Sequence, residues 1–217
     1  ALIIGNTFSN ACPVLLTGLG GMISEKSGVV NIGLEGMMTI GALMGATVGY
    51  YLGNPWIAFL AGGLAGAVFG LIHAIISVSF AGDQTISGIA INTLGPGLAL
   101  FLARLFFDGA TQTPSIPLEN KIPRLFRSLT KNQIFLNIFG QYATVYISLI
   151  MVLVLYLFLY KSKWGLRVIA VGEHPKAAET LNINVTKTRY LAVIFSGFMG
   201  GLGGASMALA VVSSFSP

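Results

Sequence analysis

The chain has 217 residues, of which 54% are hydrophobic and only 9% charged, with a mean hydropathy of +0.81. A soluble domain carries about 25% charged residues, so this inventory cannot build a water-facing surface and its solvent must be mostly lipid. The net charge of +5 does not indicate nucleic acid, because the basic residues stand in the gaps between apolar runs, as they do beside membrane spans.

In chain order, the first apolar run covers residues 3–23, interrupted only by uncharged polar residues between Asn6 and Asn10. The polar knot SEKSG comes next, then a second run over 32–52 and a turn at GNP. A third run spans 56–80, the short turn AGDQT leads into a fourth at 86–107, and a long irregular stretch occupies 108–139. The fifth run is 138–160 and the sixth 190–212. Each approaches the roughly 20 residues that a membrane helix needs. None shows the alternation of about 10 residues that marks a barrel strand. The expectation is an all-α, polytopic transmembrane helical bundle of about six spans. The chain begins at Ala1 without a Met and stops at Pro217 just after an apolar run, with no cleavable signal peptide visible. We therefore expect a single transmembrane domain over 1–217, truncated at one or both ends.

Glycine supports close packing. Gly41, Gly45 and Gly49, then Gly62, Gly66 and Gly70, then Gly200 and Gly204 recur at four-residue spacing. Small residues at that interval let helix backbones approach where lipid supplies no hydrophobic force between helices. Cys12 is the only cysteine, which excludes an intrachain disulfide and a Cys-cluster metal site. No metal, cofactor or catalytic residue is expected. There is no G-x-x-x-x-G-K-[ST] phosphate loop, and two isolated histidines suggest no nucleophile triad.

The most polar stretch, VGEHPKAAETLNINVTKTRY, lies between two apolar runs. Pro175 suits a first helical position, Lys176, Ala177, Ala178, Glu179 and Leu181 favour helix, and Asn182 suits the left-handed residue past the end. A rod of about seven residues, near 10 Å long, cannot stay folded alone in water. It must rest on its own bundle or on a partner. If residues 161–189 are cytoplasmic, alternation puts 24–31 and 81–85 on the same side. Lys26, Lys161, Lys163, Arg167, Lys176, Lys187 and Arg189 are then inside, against Lys121, Arg124, Arg127 and Lys131 outside, which the positive-inside rule favours.

Gly-Glu-His-Pro-Lys-Ala-Ala-Glu-Thr-Leu-Asn-Ile resembles the cytoplasmic coupling segment of ABC-importer permeases, in the branch of ribose, branched-chain amino-acid and nucleoside permeases. GMISEKSGVVNIGLEGMMTIGALMGA and DQTISGIAINTLGPGL resemble two further stretches of the nucleoside-type members. The family pattern has Asn where this chain has His174 and Gly where it has Asn182. The resemblance implies a non-enzymatic permease subunit of an ATP-driven importer for nucleosides or simple sugars, in a bacterial-type inner membrane. It also implies a separate ABC ATPase subunit, a second permease subunit (the same or a different chain) and an extracytoplasmic solute-binding protein. The coupling residues it implies are Gly172, Glu173, Pro175, Lys176, Ala177, Ala178 and Glu179, within a coupling segment over 161–189.

Candidates for the solute path come from polarity. Glu35 sits about one turn into the second run, where the helix dipole favours an acid; intramembrane acids are also often functional. Asn31 stands where it would cap that helix. Asn92 and His73 lie inside apolar runs and should seek partners on other helices or face the path. Asn6, Asn10 and Phe8 are weaker candidates. KIPRLFRSLTKNQIF is expected as an amphipathic stretch at the interface, and the loop around it as a docking surface for the binding protein. The alternative readings are a secondary transporter or channel, which would need ion-holding acids or broken helices, and a membrane scaffold.

Overall fold

The computed structural model describes residues 2–117, 120–126 and 133–216, and within them the regular structure is helical, joined by turns, irregular segments and one isolated bridge between Arg124 and Tyr142. Six helices are long: α1 (Leu2–Lys26), α2 (Leu34–Leu52), α3 (Pro55–Ala74), α4 (Gln84–Phe106), α6 (Ala143–Lys161) and α9 (Val185–Ser206). Three short ones complete the set: α5 (Gln133–Phe139), α7 (Lys163–Glu173) and α8 (Pro175–Thr180). Helix α3 continues as a π-helical turn over Ile75–Ser79, and α9 over Met207–Val212.

Four helices among the described residues are long and apolar enough to cross a membrane: α3 and α9 with their π-helical extensions, α4 and α6. The expected six spans are therefore supported at four. Helices α1 and α2 are long, but Asn6, Thr7, Ser9 and Asn10 in one and Glu35, Thr39 and Thr47 in the other dilute their apolar character.

Boundaries follow local caps. Asn54 Oδ1 accepts from Trp56 N–H at 3.0 Å and Ile57 N–H at 3.3 Å, with Pro55 at the first helical position. Asp83 caps α4 through Thr85 and Ile86 N–H. Asn184 caps α9 through Lys187 N–H, so that helix begins five residues before the expected 190 and takes in Lys187 and Arg189. The fifth span also moves: α6 starts at Ala143, not 138, because the chain breaks at Gly140 and Gln141. Gln141 bonds in three directions there, Nε2 to the Asn137 carbonyl, Oε1 from Ser9 Oγ, and its carbonyl from Leu125 N–H. Of the expected amphipathic stretch, residues 127–132 lie outside the described residues; its end enters α5.

Helix α9 is the axis, with 72% of its most apolar window buried against 33–44% for the other three apolar helices. Glycines make this possible. A Cβ at Gly66 would meet the Gly197 carbonyl and Gly201, one at Gly62 would meet Ala205 and the Gly41 carbonyl, and one at Gly204 would meet the Met38 carbonyl. Backbones of α2, α3 and α9 thus touch without intervening side chains, as the four-residue spacing implies. Gly200, by contrast, faces Leu34 and Met37 with room for a methyl group.

At one end of the bundle, the α1–α2 connection, the α3–α4 turn and the start of α9 converge, with Arg189 bonded to the Ser27 carbonyl, Val30 to Gln84, and Ser79 to Tyr190. At the other end Tyr51 bonds the Phe106 carbonyl, Thr113 N–H the Phe215 carbonyl, and Asn120 the Gly49 carbonyl. The segments expected to share a side do share one.

Gly66→Ala is expected to cost about 1–3 kcal/mol through overpacking and to lower the melting temperature in detergent. Gly18→Ala, whose methyl group would meet nothing within 4 Å, should melt like the parent. A thermal shift on the two variants checks this.

Candidate functional site

Two features outside the regular helices carry the polar chemistry: the α7–α8 segment at one end, and the non-helical connection between α1 and α2. In the first, the Ser162 hydroxyl caps α7 by accepting from Gly165 N–H at 3.0 Å, and Gly165 lies against the α6 backbone at Phe158 and Leu159. Helix α7 therefore leaves the end of α6 at once. It buries Val168 and Val171 and exposes Trp164 and Leu166, with the Arg167 guanidinium over the Trp164 ring.

His174 is the joint between α7 and α8. Its N–H donates to the Ala170 carbonyl, closing α7, and its carbonyl accepts from Ala178 N–H, opening α8. Pro175 takes the first helical position. Asn182 has φ of 59°, the left-handed stop its sequence position implies, with its N–H on the Glu179 carbonyl. The helix is six residues long, slightly shorter than expected.

The seven residues expected to contact an ATPase divide. Ala178 is 2% exposed and packs with Val171 and Val185, so it faces its own bundle. Gly172 is half-buried, its Cα against the Lys26 carbonyl and the Gly28 backbone. Glu173, Lys176, Ala177 and Glu179 are exposed, and Pro175 is partly so. Leu181, 74% exposed, adds an apolar knob to this outward face.

The second feature is residues 27–33. Helix α2 begins at the level of Asn92, eight residues into α4, about 12 Å in from that helix's start at the helical rise. The N–H groups of Ser27, Gly28 and Val29 still bond carbonyls in the last turn of α1; beyond them the helical ladder ends, and several polar groups of the connection find partners elsewhere. Ser24 Oγ donates to the Val29 carbonyl at 2.7 Å, and Gln84 Oε1 accepts from Val30 N–H at 2.7 Å. His73, fully buried, lies 3.1 Å from the Val30 carbonyl through Nε2 and 2.9 Å from Ser87 Oγ through Nδ1. A carbonyl can only accept, so Nε2 carries the proton and Nδ1 accepts from the serine.

Asn31 does not cap α2. Gly33 is the N-cap and has no side chain to offer. Asn31 is buried, its Nδ2 donating to Ser196 Oγ on α9 at 3.0 Å and its Oδ1 accepting from Gly33 N–H. Asn92 Oδ1 accepts from Gly36 N–H at 2.8 Å and its Nδ2 donates to the Ile32 carbonyl at 2.9 Å. Both asparagines thus bond their own chain. Glu35 is exposed in the first turn of α2, beside Thr39. Asn10 is also exposed, on the opposite reach of α1, in a shallow hollow with Asn6 and Thr7. The four path candidates are therefore not one cluster.

Residue-type reasoning missed Arg189, Gln84, Ser87 and Ser196. All four act through contacts distant in sequence; Gln84, Ser87 and Arg189 stand in polar helix starts, while Ser196 lies mid-helix with no local signal. No group of His, Cys, Asp and Glu capable of holding a metal ion occurs among the described residues.

A family model described as the permease component of branched-chain amino acid transport systems matches residues 3–216, and the chain belongs to that family. It is 42% identical to a guanosine ABC transporter permease protein of Bacillus subtilis, the alignment covering 99% of this chain and 69% of that protein. It is 35% identical to a nucleoside ABC transporter permease protein of Lactococcus lactis, over 99% of this chain and 69% of the other. A putative glucose ABC transporter permease protein of Haloferax volcanii is 38% identical over 96% of this chain and 63% of its own length. No solved structure matches.

His73→Phe strands the Val30 carbonyl and the Ser87 hydroxyl and should cost about 1–3 kcal/mol, seen as a lower melting temperature in detergent. Asn10→Ala should leave it unchanged.

Proposed function

We propose that this chain is the membrane-spanning, non-catalytic permease subunit of an ATP-binding-cassette importer for nucleosides, in which α7 and α8 form a cytoplasmic lever driven by a separate ATPase. The observation that supports it most is the likeness to guanosine and nucleoside permeases along nearly the whole chain. Helices α1 and α2 complete six crossings in this reading, α2 entering from a point inside the bilayer. Sugars related to the ribose portion are the second solute class, in line with the likeness to a glucose permease. The other partners are a second permease chain and an extracytoplasmic solute-binding protein, in a bacterial-type inner membrane.

The lever reading draws on geometry. A helix that conveys force needs a fixed inner face and a free outer one. Ala178 supplies the first and Lys176, Ala177, Glu179 and Leu181 the second. Seven basic residues lie on the lever's side (Lys26, Lys161, Lys163, Arg167, Lys176, Lys187 and Arg189), which suits a cytoplasmic face. Glu35 belongs on the solute path, since a carboxylate exposed on the side of the bundle is costly against lipid and acceptable against water. Asn10 lies on the outer reach of the same route, while Asn31 and Asn92 position α2 from behind.

Two experiments test this. In proteoliposomes containing the assembled complex, uptake of labelled guanosine should require ATP and survive a proton ionophore. Dependence on an ion gradient would refute the importer class, and transport of glucose in preference to every nucleoside would refute the solute class. In a Cys12→Ala background, Ala177→Cys should cross-link to the ATPase subunit and Ala178→Cys should not. Capture at the buried position alone would show that the lever presents its other face.

A further inference from the structure

We propose that residues 27–33 transmit the lever's motion to the first turn of α2, and that Arg189 is the positioning residue that fastens the lever to this link. The proposal rests on the lever reading above and adds how a push at α8 reaches the solute path. Its basis is an unbroken run of contacts.

On the lever side, Gly172 in the last turn of α7 presses its Cα against the Lys26 carbonyl and the Gly28 backbone. Gly28 has φ of 85°, a conformation that side chains disfavour, and a Cβ there would meet both Gly172 and the Arg189 guanidinium at 3.2 Å. Arg189, in the second turn of α9 just beyond the lever, donates from Nε to the Ser27 carbonyl at 3.2 Å. The beginning of the link is thus held between the end of α7 and the root of α9.

On the inner side, Asn92 grips the Ile32 carbonyl and Gly36 N–H together, so the link and the first turn of α2 move as one piece, and Glu35 is in that turn. Between these ends there is little slack. Val30 is tied to Gln84, the first residue of α4, and Ile32 to Asn92, two turns further along the same helix. The link is therefore held to α4 at two points, and a displacement at Ser27 meets a segment tied at both ends. Val29, 1% exposed against Ala74 and Val193, keeps it from bowing sideways.

A fastening role differs from a merely stabilising one in what its loss does. Without Arg189 the lever still seats in the ATPase, and hydrolysis continues while the solute path no longer follows. The experiment uses the complete complex, with its ATPase and solute-binding protein, in proteoliposomes, measuring guanosine moved per ATP hydrolysed. Arg189→Gln should keep hydrolysis near the parent rate and lower that ratio by about tenfold, and Arg189→Lys should recover much of it. A ratio unchanged in Arg189→Gln, or uptake and hydrolysis falling together, overturns the proposal.

A second measurement does not depend on removing the arginine's contacts one at a time. In the Cys12→Ala background, Lys26→Cys, exposed at the start of the link, and Arg189→Cys joined by a short bis-maleimide should transport better than the unlinked pair, because a covalent tie replaces the lost one. Transport abolished by the tie would mean that the two must slide past each other, which overturns the link. The parent complex in the same assay separates the conclusions. ATP-driven uptake absent there refutes the importer reading itself, and uptake present there leaves the ratio to judge the link.

Discussion

A backbone that leaves the helix inside a bundle has no water to turn to, and each bare amide must be met by protein. Residues 27–33 are where this chain faces that constraint, and much of the arrangement answers it. His73 on α3, Gln84 and Asn92 on α4, and Ser196 and Arg189 on α9 all turn toward the same short connection, Ser196 through Asn31 within it. Three helices are thereby fixed in register against a fourth. Any one of them could slide along its neighbours on a purely apolar contact, since packing in lipid is not directional; the hydrogen bonds to the connection make one position the favoured one.

The glycine contacts act at right angles to this. They bring the axes of α2, α3 and α9 close enough for backbone atoms to touch, which makes that part of the bundle a block with few side chains to rearrange. Helices α4 and α6 lie outside the block, each with a third of its apolar window buried. A stiff centre and looser flanks suit a machine in which a displacement applied at one end must appear at the other undiminished. Rigid elements pass displacement on, whereas a mobile core would dissipate it.

How much of this was legible in the sequence depends on the range of the interaction. The long helices were visible from apolar runs alone, and the caps Asn54, Asp83 and Asn184 are local signals that place boundaries to within a few residues. The fifth span was misplaced because Ile138 and Phe139 are as apolar as the residues of α6; the break comes from Gln141, whose partners Ser9 and Leu125 are far away in sequence. Asn31 illustrates the same limit. Its position shortly before Glu35 looks like a cap, but its Oδ1 accepts from Gly33 N–H ahead of the helix, while its Nδ2 is held by Ser196, 165 residues away. The stop at Asn182 was legible because a left-handed residue is a property of one residue and its neighbours. That Ala178 faces inward and Ala177 outward was not, because a six-residue helix has no periodicity from which to read a face.

The two asparagines and the glutamate at the start of α2 also show why polarity in an apolar run is a poor guide to solute contact by itself. A primary amide has two donors and two acceptor lone pairs, and at Asn92 one of each is engaged by α2 and its approach. A carboxylate has no donor to satisfy a carbonyl, so Glu35 cannot perform that structural task. It turns outward instead. The division follows from chemistry: groups that can both give and accept are drawn into holding irregular backbone, and the group that can only accept is left facing the medium.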